Sequence, residues 1–451
     1  MNISKLYEVM PIFAQNILCN IKGIQINKSR YNSSFDRLLE EFCERGEWAN
    51  SKMCQYRDER IHLLIKHCYE TVPYYHKTIS ELGLSPQDFL TLDDLVKLPI
   101  INKKTVIDNR EDFISSKAVD YKTIHAHTSG STGAGFQFIT TEESIQAQWA
   151  TFWRLYLKTG IKRNEKQGTF SGQMIVPTKQ TKPPYWRYVS SQNRVYFSAY
   201  HEQEENLESY YNEIKRSEIT WISGYPSLIS LLADYMLRNN LENPGVKYVS
   251  TGAENLYGIQ EKQIKKAFYG ASFVQVYGQS ENVAFFTQEA NGQIWVDEDA
   301  SATEFIENND GSYDIVGTNL YNYAMPLIRY STGDRAHYTV EKNGRRRVTQ
   351  IDGRKEDYIV LPTGEKLGRL DYAFKDANNV SESQIYQKKD YSIVIRAVLK
   401  SVEGKKEVES ARDWLVEATH GKVRITIDYV DGIQRTNTQK MRYVISEVEC
   451  D

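Results

Sequence analysis

The chain has few cysteines, and their spacing argues against two kinds of cysteine-based site. It carries five cysteines in 451 residues, and no two of them form a C-x-x-C pair. An odd number without that spacing supplies neither the ligand set of a zinc site nor a paired disulfide framework. We therefore expect reduced, incidental thiols in a cytoplasmic protein.

The chain also lacks a strong excess of charge of either sign. Its 56 Lys and Arg residues stand against 59 Asp and Glu residues, which gives a formal net charge of -3. Binding to duplex nucleic acid depends on a clustered positive field. A balance of this kind provides no such field, so we expect no nucleic-acid partner.

A long apolar run is missing as well. The N-terminal segment is moderately apolar, but Pro11, Gln15, Asn16 and Asn20 interrupt it. No run reaches the roughly 18 apolar residues of a spanning helix, and the basic start of a signal peptide is lacking. We expect no transmembrane segment. Docking of this segment onto the protein's own body is favoured over a peripheral membrane contact.

Helical patterns dominate the first 160 residues. In the segment 61–68, apolar residues fall at positions i, i+3, i+4 and i+7, which is one face of a helix. A second helical pattern begins after Thr140, which stands at capping-box spacing from Glu143. We expect two amphipathic helices whose apolar and aromatic side chains belong to the core.

From about residue 165, short β-rich runs alternate with helical patterns. Three of the runs end at Gly224, Gly252 and Gly278, and helices are predicted from Pro226 and over 257–269. This alternation is typical of a largely parallel α/β sheet. The three glycines are expected at the carboxyl ends of strands, where α/β sheets bind their ligands.

A domain boundary is predicted near residue 353. Beyond it, a strand at 391–399, a helix at 406–419 and a strand at 423–430 are enough for a small α+β domain of about 95 residues. The predicted fold class is α/β, with a large domain over 1–353 that is helical to about residue 125. Its sheets are expected to be mixed, mostly parallel and flanked by helices. Residues 354–451 form the predicted C-terminal domain.

The stretch H-T-S-G-S-T-G-A-G at 127–135 concentrates hydroxyl groups and glycines in one loop. Small residues let backbone N–H groups converge on an anion, and Ser and Thr add donors, so the loop suits a phosphate. A flexible surface connector is the alternative. No Lys follows the last Gly, so the loop is not a Walker A element and a P-loop NTPase is disfavoured.

Five further motifs follow this loop in a fixed order. They are S-T-G-A-E-N at 250–255, Y-G-Q-S-E at 277–281, R-Y-S-T-G-D at 329–334, D-G-R-K-E-D at 352–357 and R-T-N-T-Q-K at 435–440. With T-S-G-S-T-G at 128–133, the series resembles the adenylate-forming superfamily of acyl- and aryl-CoA synthetases. Within that superfamily it is similar to the phenylacetate-CoA ligase family, and especially to its CapK-like branch of capsular polysaccharide biosynthesis. The resemblance covers nearly the whole chain.

The resemblance implies an AMP-forming acid ligase that uses ATP and Mg²⁺, in which the large domain adenylates and the C-terminal domain is a mobile lid. Phosphate contacts are implied for Thr128, Ser129, Gly130, Ser131, Thr132 and Gly133. Contacts to the rest of the nucleotide and to the acyl pocket are implied for Gly252, Ala253, Glu254, Tyr277, Gly278, Gln279, Asp334 and Arg354.

Four residues receive catalytic roles from the resemblance. Ser280 would bond the α-phosphate, and Glu281 would hold Mg²⁺. Arg354 would reach the ribose or a phosphate, and Lys440 would bring positive charge to the α-phosphate during adenylation. The pair Lys355 and Glu356 falls in the family's hinge between the two domains.

The sequence departs from the family at two places beside these predicted phosphate contacts. Ala134-Gly135-Phe136 follows the loop where the family commonly places Pro and a Lys or Thr. R-T-N-T-Q precedes Lys440 without the Gly that often stands before that lysine. Tyr225 and Phe170 are candidate lining residues for an apolar or aromatic acid, and core positions are the alternative.

The acceptor of the acyl group stays open at this point. The thiol of coenzyme A and an amine or hydroxyl of a sugar both receive acyl groups from the same intermediate, and no motif separates them. A non-catalytic nucleotide-binding protein is a third possibility, opposed by Glu281, Asp334, Arg354 and Lys440, which binding alone would not require. The expected partners are a small carboxylic acid and this acceptor, and a homodimer is left open.

Overall fold

The computed structural model describes residues 3–127, 136–354, 358–363, 366–367, 370–374, 377–419, 421–436 and 439–448. The chain forms two compact units, and each draws on separate segments. The first unit comprises Met1–Asn20, Asn164–Phe273 and Asp352–Asp451. The second unit comprises Ile21–Arg163 and Val274–Ile351.

The described residues form eleven α-helices. They are α1 (Ile3–Val9), α2 (Ile12–Arg30), α3 (Ser33–Arg45), α4 (Asn50–Thr71), α5 (Pro73–Glu81), α6 (Lys103–Asp108), α7 (Glu142–Lys158), α8 (Glu204–Arg216), α9 (Pro226–Arg238), α10 (Gly258–Ala267) and α11 (Gly404–Ala418).

The same part of the chain forms twenty β-strands. They are β1 (Thr123–His127), β2 (Gln137–Thr141), β3 (Gln167–Ser171), β4 (Trp186–Val189), β5 (Arg194–Ser198), β6 (Trp221–Gly224), β7 (Tyr248–Gly252), β8 (Ser272–Gly278), β9 (Phe285–Gln288), β10 (Ile294–Val296), β11 (Ser301–Glu307), β12 (Tyr313–Asn319), β13 (Tyr330–Val340), β14 (Arg346–Arg354), β15 (Ile359–Val360), β16 (Lys366–Leu367), β17 (Val380–Gln387), β18 (Ile393–Leu399), β19 (Ile425–Tyr429) and β20 (Val444–Ser446).

Five strands of the first unit lie side by side in the order β7-β6-β3-β5-β4. The neighbours β7–β6, β6–β3 and β3–β5 are parallel, and β4 joins β5 in antiparallel pairing. Helices α8, α9 and α10 contribute apolar side chains to the same hydrophobic core as these strands. The predicted alternation of parallel strands and helices in this region is confirmed.

Gly224 ends β6 at a point where a side chain has no room. Its φ is +147°, and a Cβ atom there would come within 1.8 Å of the carbonyl oxygen of Phe170 on β3. Only glycine fits this close approach of two backbones. Gly252 and Gly278 likewise end β7 and β8, so the expectation that all three glycines stand at the carboxyl ends of strands is confirmed.

The C-terminal part of the first unit has a small sheet of its own. The strand order is β19-β18-β17-β20, with β17 and β18 antiparallel and the two outer strands parallel to their neighbours. Helix α11 covers this sheet and contributes Val408, Ala411 and Leu415 to a separate hydrophobic core. The division of the chain at residue 353 remains a prediction.

The second unit is built around antiparallel strands. Seven strands that lie wholly or mainly in it follow the order β11-β12-β13-β14-β10-β9-β8, and β1 and β2 form a separate hairpin. Ion pairs join helix α7 to the connection between β10 and β11, because Arg154 reaches both Asp297 and Asp299. Helix-flanked mixed sheets together with a smaller C-terminal sheet confirm the predicted α/β class.

The N-cap of helix α7 lies one residue after the predicted cap, Thr140. Its N-cap is Thr141, whose hydroxyl accepts a hydrogen bond from the backbone N–H of Ser144 at 3.1 Å. Thr140 instead pairs with Ile124 inside the β1–β2 hairpin. The hairpin therefore extends to the residue that starts the helix, and the predicted capping position was wrong by one.

The N-terminal segment is held to the first unit by polar contacts. The Tyr7 hydroxyl donates to the carbonyl oxygen of Ile175 at 2.5 Å, and Arg187 Nε donates to Gln15 Oε1 at 3.0 Å. Apolar side chains such as Phe13, which is 68% exposed, still face solvent. None of the described helices is long and apolar enough to cross a membrane.

Candidate active site

The second unit places three of the predicted nucleotide-binding residues in one hydrogen-bonded chain. Tyr277, near the end of β8, donates its hydroxyl to Asp334 Oδ2 at 2.7 Å. Gln279 Nε2 donates to the Tyr277 hydroxyl oxygen, also at 2.7 Å. Burial raises the pKa of Tyr277 well above its ordinary value, and the neighbouring Asp334 raises it further. The phenol therefore stays protonated and keeps its role as a donor to the carboxylate.

Packing and backbone contacts fix this chain in place. The Tyr277 ring stacks on Phe286 with 4.7 Å between the ring centroids and 14° between the ring planes. Asp334 is 7% exposed, and its backbone N–H donates to the hydroxyl of Thr332 at 3.0 Å. Gly333 takes a φ of +76°, a conformation that favours glycine. The T-G-D motif therefore lies within β13, where the pairing with β12 shifts register, and it carries a buried carboxylate.

Glu281 lies in the connection that follows β8. Its Oε1 accepts from the hydroxyl of Tyr330 at 3.2 Å, and its backbone carbonyl accepts from Asn319 at 3.0 Å. Ser280 beside it is exposed. Across the described residues no group of three or more His, Cys, Asp or Glu side chains is arranged to hold a metal ion. The carboxylate of Glu281 suits Mg²⁺ bound mainly through phosphates and water, which is how Mg²⁺ is usually held.

The first unit contains the other predicted pocket residues. Gly252 ends β7, Ala253 and Glu254 follow it, and Ala253 takes a φ of +66°. Glu254 accepts hydrogen bonds from the Ser227 hydroxyl at 2.7 Å and from the backbone N–H of Met441 at 2.9 Å. Burial raises the pKa of Glu254, and these hydrogen bonds oppose the increase. The G-A-E motif therefore contacts both the start of α9 and the C-terminal segment.

Lys440 stands at the end of a short hairpin, which we call the lysine hairpin, formed around the bridge between Arg435 and Met441. Its backbone N–H donates to the Thr436 hydroxyl at 3.0 Å, and its Nζ lies 5.6 Å from the centroid of the Tyr225 ring. Gln439 takes a φ of +61°. The residue before the lysine thus adopts the conformation that glycine favours, although this sequence has Gln there.

Arg435 anchors the lysine hairpin and was not predicted as a site residue. Its Nη1 donates to the Ser227 hydroxyl at 2.7 Å, and its Nη2 pairs with the carboxylate of Glu382 on β17. Ser227 and Glu382 were also not predicted, and the reason is the same for all three residues. Their contacts join segments far apart in the chain, and no local motif marks them. The position of Arg435 five residues before Lys440 was the only signal available.

The two predicted acid-pocket residues have different surroundings. Phe170 is buried in the core of the first unit and stacks on Phe197 at 4.7 Å. Tyr225 is partly buried at the start of α9, where its backbone N–H donates to the Phe170 carbonyl at 2.9 Å. Phe170 thus occupies the core position that the sequence left as its alternative. The pocket role of Tyr225 remains a prediction.

Several predicted site residues lie outside the described part of the chain. They are Thr128, Ser129, Gly130, Ser131, Thr132, Gly133, Lys355 and Glu356. Strands β1 and β2 come before and after residues 128–135 in the sequence, and they pair from Thr123 with Thr141 to His127 with Gln137. For Arg354, the backbone ends β14. Gly353 beside it takes a φ of +86°, and a Cβ there would meet Asn255 Nδ2 at 1.9 Å, which accounts for the Gly of D-G-R.

Comparison with known proteins gives relatives along the whole chain. A family profile described as the CapK C-terminal domain matches residues 360–447. Protein CapK of Staphylococcus aureus is 25% identical over 459 aligned residues, which cover 99% of this chain and all of CapK. The phenylacetate-coenzyme A ligase of Pseudomonas putida is 24% identical over 68% of this chain and 72% of its own length.

Solved structures share the fold. A crystal structure of 2-hydroxyisobutyryl-CoA ligase in the postadenylation state with R3-HIB-AMP aligns with a TM-score of 0.66 and 18% identity, covering 87% of this chain and 89% of that one. The same ligase with 2-HIB-AMP and CoA in the thioesterification state aligns with a TM-score of 0.56 and 16% identity, covering 88% and 90%. The resemblance predicted from the motifs, to the adenylate-forming superfamily, its phenylacetate-CoA ligase family and the CapK-like branch, is thus confirmed.

Proposed function

We propose that this chain is an AMP-forming acid ligase, which uses ATP to convert a carboxylic acid into an acyl-adenylate and then passes the acyl group to an acceptor. The single observation that carries the proposal is the hydrogen-bonded chain of Gln279, Tyr277 and Asp334. Residues of two motifs that are far apart in the sequence, Y-G-Q-S-E and S-T-G-D, are held together there, and the Asp334 side is 7% exposed. The relatives named above support the same reaction class.

The hydrogen-bonded side chains of Tyr277 and Asp334 suit a nucleoside on chemical grounds. A carboxylate offers two acceptor oxygens that match the paired hydroxyls of a ribose, and the tyrosine ring offers a flat face to a base. Gly278 follows Tyr277, and a Cβ atom at that position would lie 3.0 Å from the Phe285 ring. We assign Asp334 to the ribose and Tyr277 to the adenine.

The remaining roles follow from the charge that develops when a carboxylate attacks the α-phosphorus and pyrophosphate leaves. The 128–133 loop would hold the β and γ phosphates, and Glu281 would hold Mg²⁺, which neutralises phosphate charge when bound. Lys440 would place a positive charge at the α-phosphate, where a flexible point charge is most effective. Ser280 and Arg354 would complete the phosphate and ribose contacts.

The acceptor is proposed in two forms. Transfer to the thiol of coenzyme A is the first, because a phenylacetate-coenzyme A ligase and a CoA ligase are among the relatives. Transfer to an amine or hydroxyl of a sugar in capsule biosynthesis is the second, because Protein CapK is similar over its whole length. Both acceptors would react with the same acyl-adenylate.

Pyrophosphate exchange tests the first half of the reaction without knowledge of the acceptor. The protein would be incubated with ATP, Mg²⁺, labelled pyrophosphate and a panel of carboxylic acids. Exchange that depends on an acid is the expected result, and its absence across the panel would favour a protein that binds nucleotide without turnover. Adding coenzyme A or amino sugars with each competent acid, and identifying products by mass, then separates the two acceptors.

A further inference from the structure

A polar cavity of about 330 Å³ lies in the first unit, between the connection from β5 to α8 and the residues Ile433, Arg435 and Gln439. Its lining includes Tyr200, Glu202, Gln203, Arg435 and Gln439. The volume is at the lower end of the range found for small-molecule sites. None of these five residues is assigned a contact with ATP or with the acid in the proposed adenylation.

Glu202 is the unusual member of this lining. Both of its carboxylate oxygens are buried, and neither has a hydrogen-bond partner among the described residues. Burial raises the pKa of this carboxyl well above its ordinary value. A buried carboxyl without partners destabilises a folded protein in either protonation state, so such groups are normally paired. A ligand that supplies donors would remove this penalty.

Charges around Glu202 indicate which kind of donor fits. Arg435 is the cation near it, but its guanidinium already bonds Ser227 and pairs with Glu382. Glu254 is a third acidic neighbour and takes its hydrogen bonds from Ser227 and Met441. Arg435 thus acts electrostatically on all three carboxyl groups. The local excess of acidic groups favours a ligand with a positive charge.

The same residues argue against a metal ion as that positive charge. No cluster of three or more metal-binding side chains occurs in the described residues. Glu202, Glu254 and Glu382 therefore do not form such a cluster. An ammonium group needs fewer ligands, since one carboxylate can accept two of its three N–H bonds. The amides of Gln203 and Gln439 and the hydroxyl of Tyr200 add groups suited to the polar remainder of such a molecule.

We propose that this cavity binds a substrate carrying a protonated primary amine, with Glu202 as the counter-ion, because a bound ammonium group favours the ionised form of a buried carboxyl. The inference rests on the proposed function, because the amine belongs either to the acid that is activated or to the acceptor of the acyl group. An amino acid and an amino sugar share this chemistry. Arg435 links the cavity to the lysine hairpin, so an occupied cavity lies beside the segment that carries Lys440.

Direct binding tests the proposal independently of turnover. Calorimetric titration would compare β-alanine with propionate, as the amino-acid pair, and D-glucosamine with D-glucose, as the acceptor pair. In at least one pair we expect the amine to bind at least 10-fold more tightly than its amine-free partner. Glu202→Gln should remove that preference, and Glu202→Asp, which keeps the charge, should retain part of it.

The matched control is Glu205→Gln, the same chemical change at an exposed position on α8. It should leave the amine preference unchanged. The proposal is overturned if neither pair shows a preference, or if Glu202→Gln binds amines as the control does. Should Glu202→Gln fail to fold by circular dichroism, Glu202→Asp decides, because an unaltered amine affinity in that shortened variant also overturns the proposal.

Activity then assigns the amine to one of the two substrates. Pyrophosphate exchange requires the acid alone, so faster exchange with β-alanine than with propionate places the amine on the acid. A preference for D-glucosamine over D-glucose in acylated products, without a preference in exchange, places it on the acceptor. Absence of all exchange would remove the proposed function, yet the binding preference would still be measurable, so the two failures are distinguishable.

Discussion

At the residue scale, the Tyr277 hydroxyl is hydrogen-bonded to two polar side chains, and it is the most directly testable atom of the proposed nucleotide site. Tyr277→Phe keeps the ring on Phe286 but leaves Asp334 and Gln279 each without this partner. We expect the free energy of unfolding to fall by about 1–3 kcal/mol, the usual cost of removing one partner from a buried hydrogen bond. Urea denaturation measures this change.

The control for this substitution is Tyr269→Phe, because the Tyr269 side chain is 61% exposed. It should change stability by less than about 0.5 kcal/mol. In the exchange assay Tyr277→Phe should also raise the KM for ATP, because the carboxylate that we assign to the ribose loses its fixed donor. Equal behaviour of the two variants would remove Tyr277 from the site.

Asp297 predicts a pH dependence of stability in the second unit. It accepts hydrogen bonds from Arg154 at 2.7 Å and from Thr287 at 3.1 Å. Burial nevertheless raises its pKa to about 7. A carboxyl whose pKa is higher in the folded state contributes stability that is complete below its unfolded pKa, about 4, and is lost as the pH rises through about 7.

We therefore expect Asp297→Asn to flatten the fall in stability between about pH 4 and pH 7, by an amount on the order of 4 kcal/mol. Urea unfolding at pH 5, 6, 7 and 8 measures the slope. Asp93→Asn, an exposed carboxyl on the same unit, is the control and should follow the wild type. Parallel profiles for Asp297→Asn and the wild type would show that this group does not titrate in that range.

At the scale of elements, the lysine hairpin carries the residue on which adenylation is proposed to depend. Lys440→Ala should reduce pyrophosphate exchange about 10²–10³-fold, because a positive charge aimed at developing negative charge is worth that much in rate. Transfer from a separately prepared acyl-adenylate should change far less, since the α-phosphate has already reacted. Both rates are measurable with one competent acid.

Lys406→Ala is the control for the hairpin prediction, because Lys406 is an exposed lysine on α11 in the same C-terminal sheet region. It should leave both rates unchanged. A Lys440→Ala protein that exchanges pyrophosphate at the wild-type rate would make Lys440 an ordinary surface residue, which the sequence alone also allowed.

Elements were predictable where a local pattern determines them. Pro226 at the first turn and the glycines after the β-runs marked α9 and the ends of β6, β7 and β8, because these residues act through their own backbone geometry. The cap of α7 was misplaced by one residue, since the β1–β2 hairpin uses Thr140. Pairing between strands decided that position, and sequence spacing does not show it.

Site residues were likewise predictable only where a local motif marks them. Asp334 and Tyr277 were named from motifs, and the structure joins them by a hydrogen bond. Arg435, Ser227 and Glu202 were missed, because their importance depends on contacts or on missing contacts that only the folded chain shows. Gln439 shows a further limit, since a motif that normally uses glycine tolerates another residue at a positive φ.

At the scale of the whole molecule, the order of six short motifs along 451 residues was more informative than any one of them. Each motif alone had a structural alternative, and the Gly-rich loop was compatible with a simple connector. Together they predicted a fold that relatives confirm at 25% identity or less, where overall sequence similarity is weak. Under the proposed function, scattered contacts to one substrate would constrain a few positions strongly and leave the rest of the chain free to vary.

Acid-dependent pyrophosphate exchange, compared between the wild type and Asp334→Asn, is the decisive experiment for the proposed reaction. We expect exchange with at least one acid in the wild type. In Asp334→Asn, kcat/KM for ATP should fall by at least 10²-fold. The control Asp413→Asn, which changes an exposed side chain on α11, should leave this value unchanged. Circular dichroism at the assay temperature would verify that each variant is folded. If no acid supports exchange, or if Asp334→Asn matches Asp413→Asn, the chain does not activate a carboxylate in the way proposed.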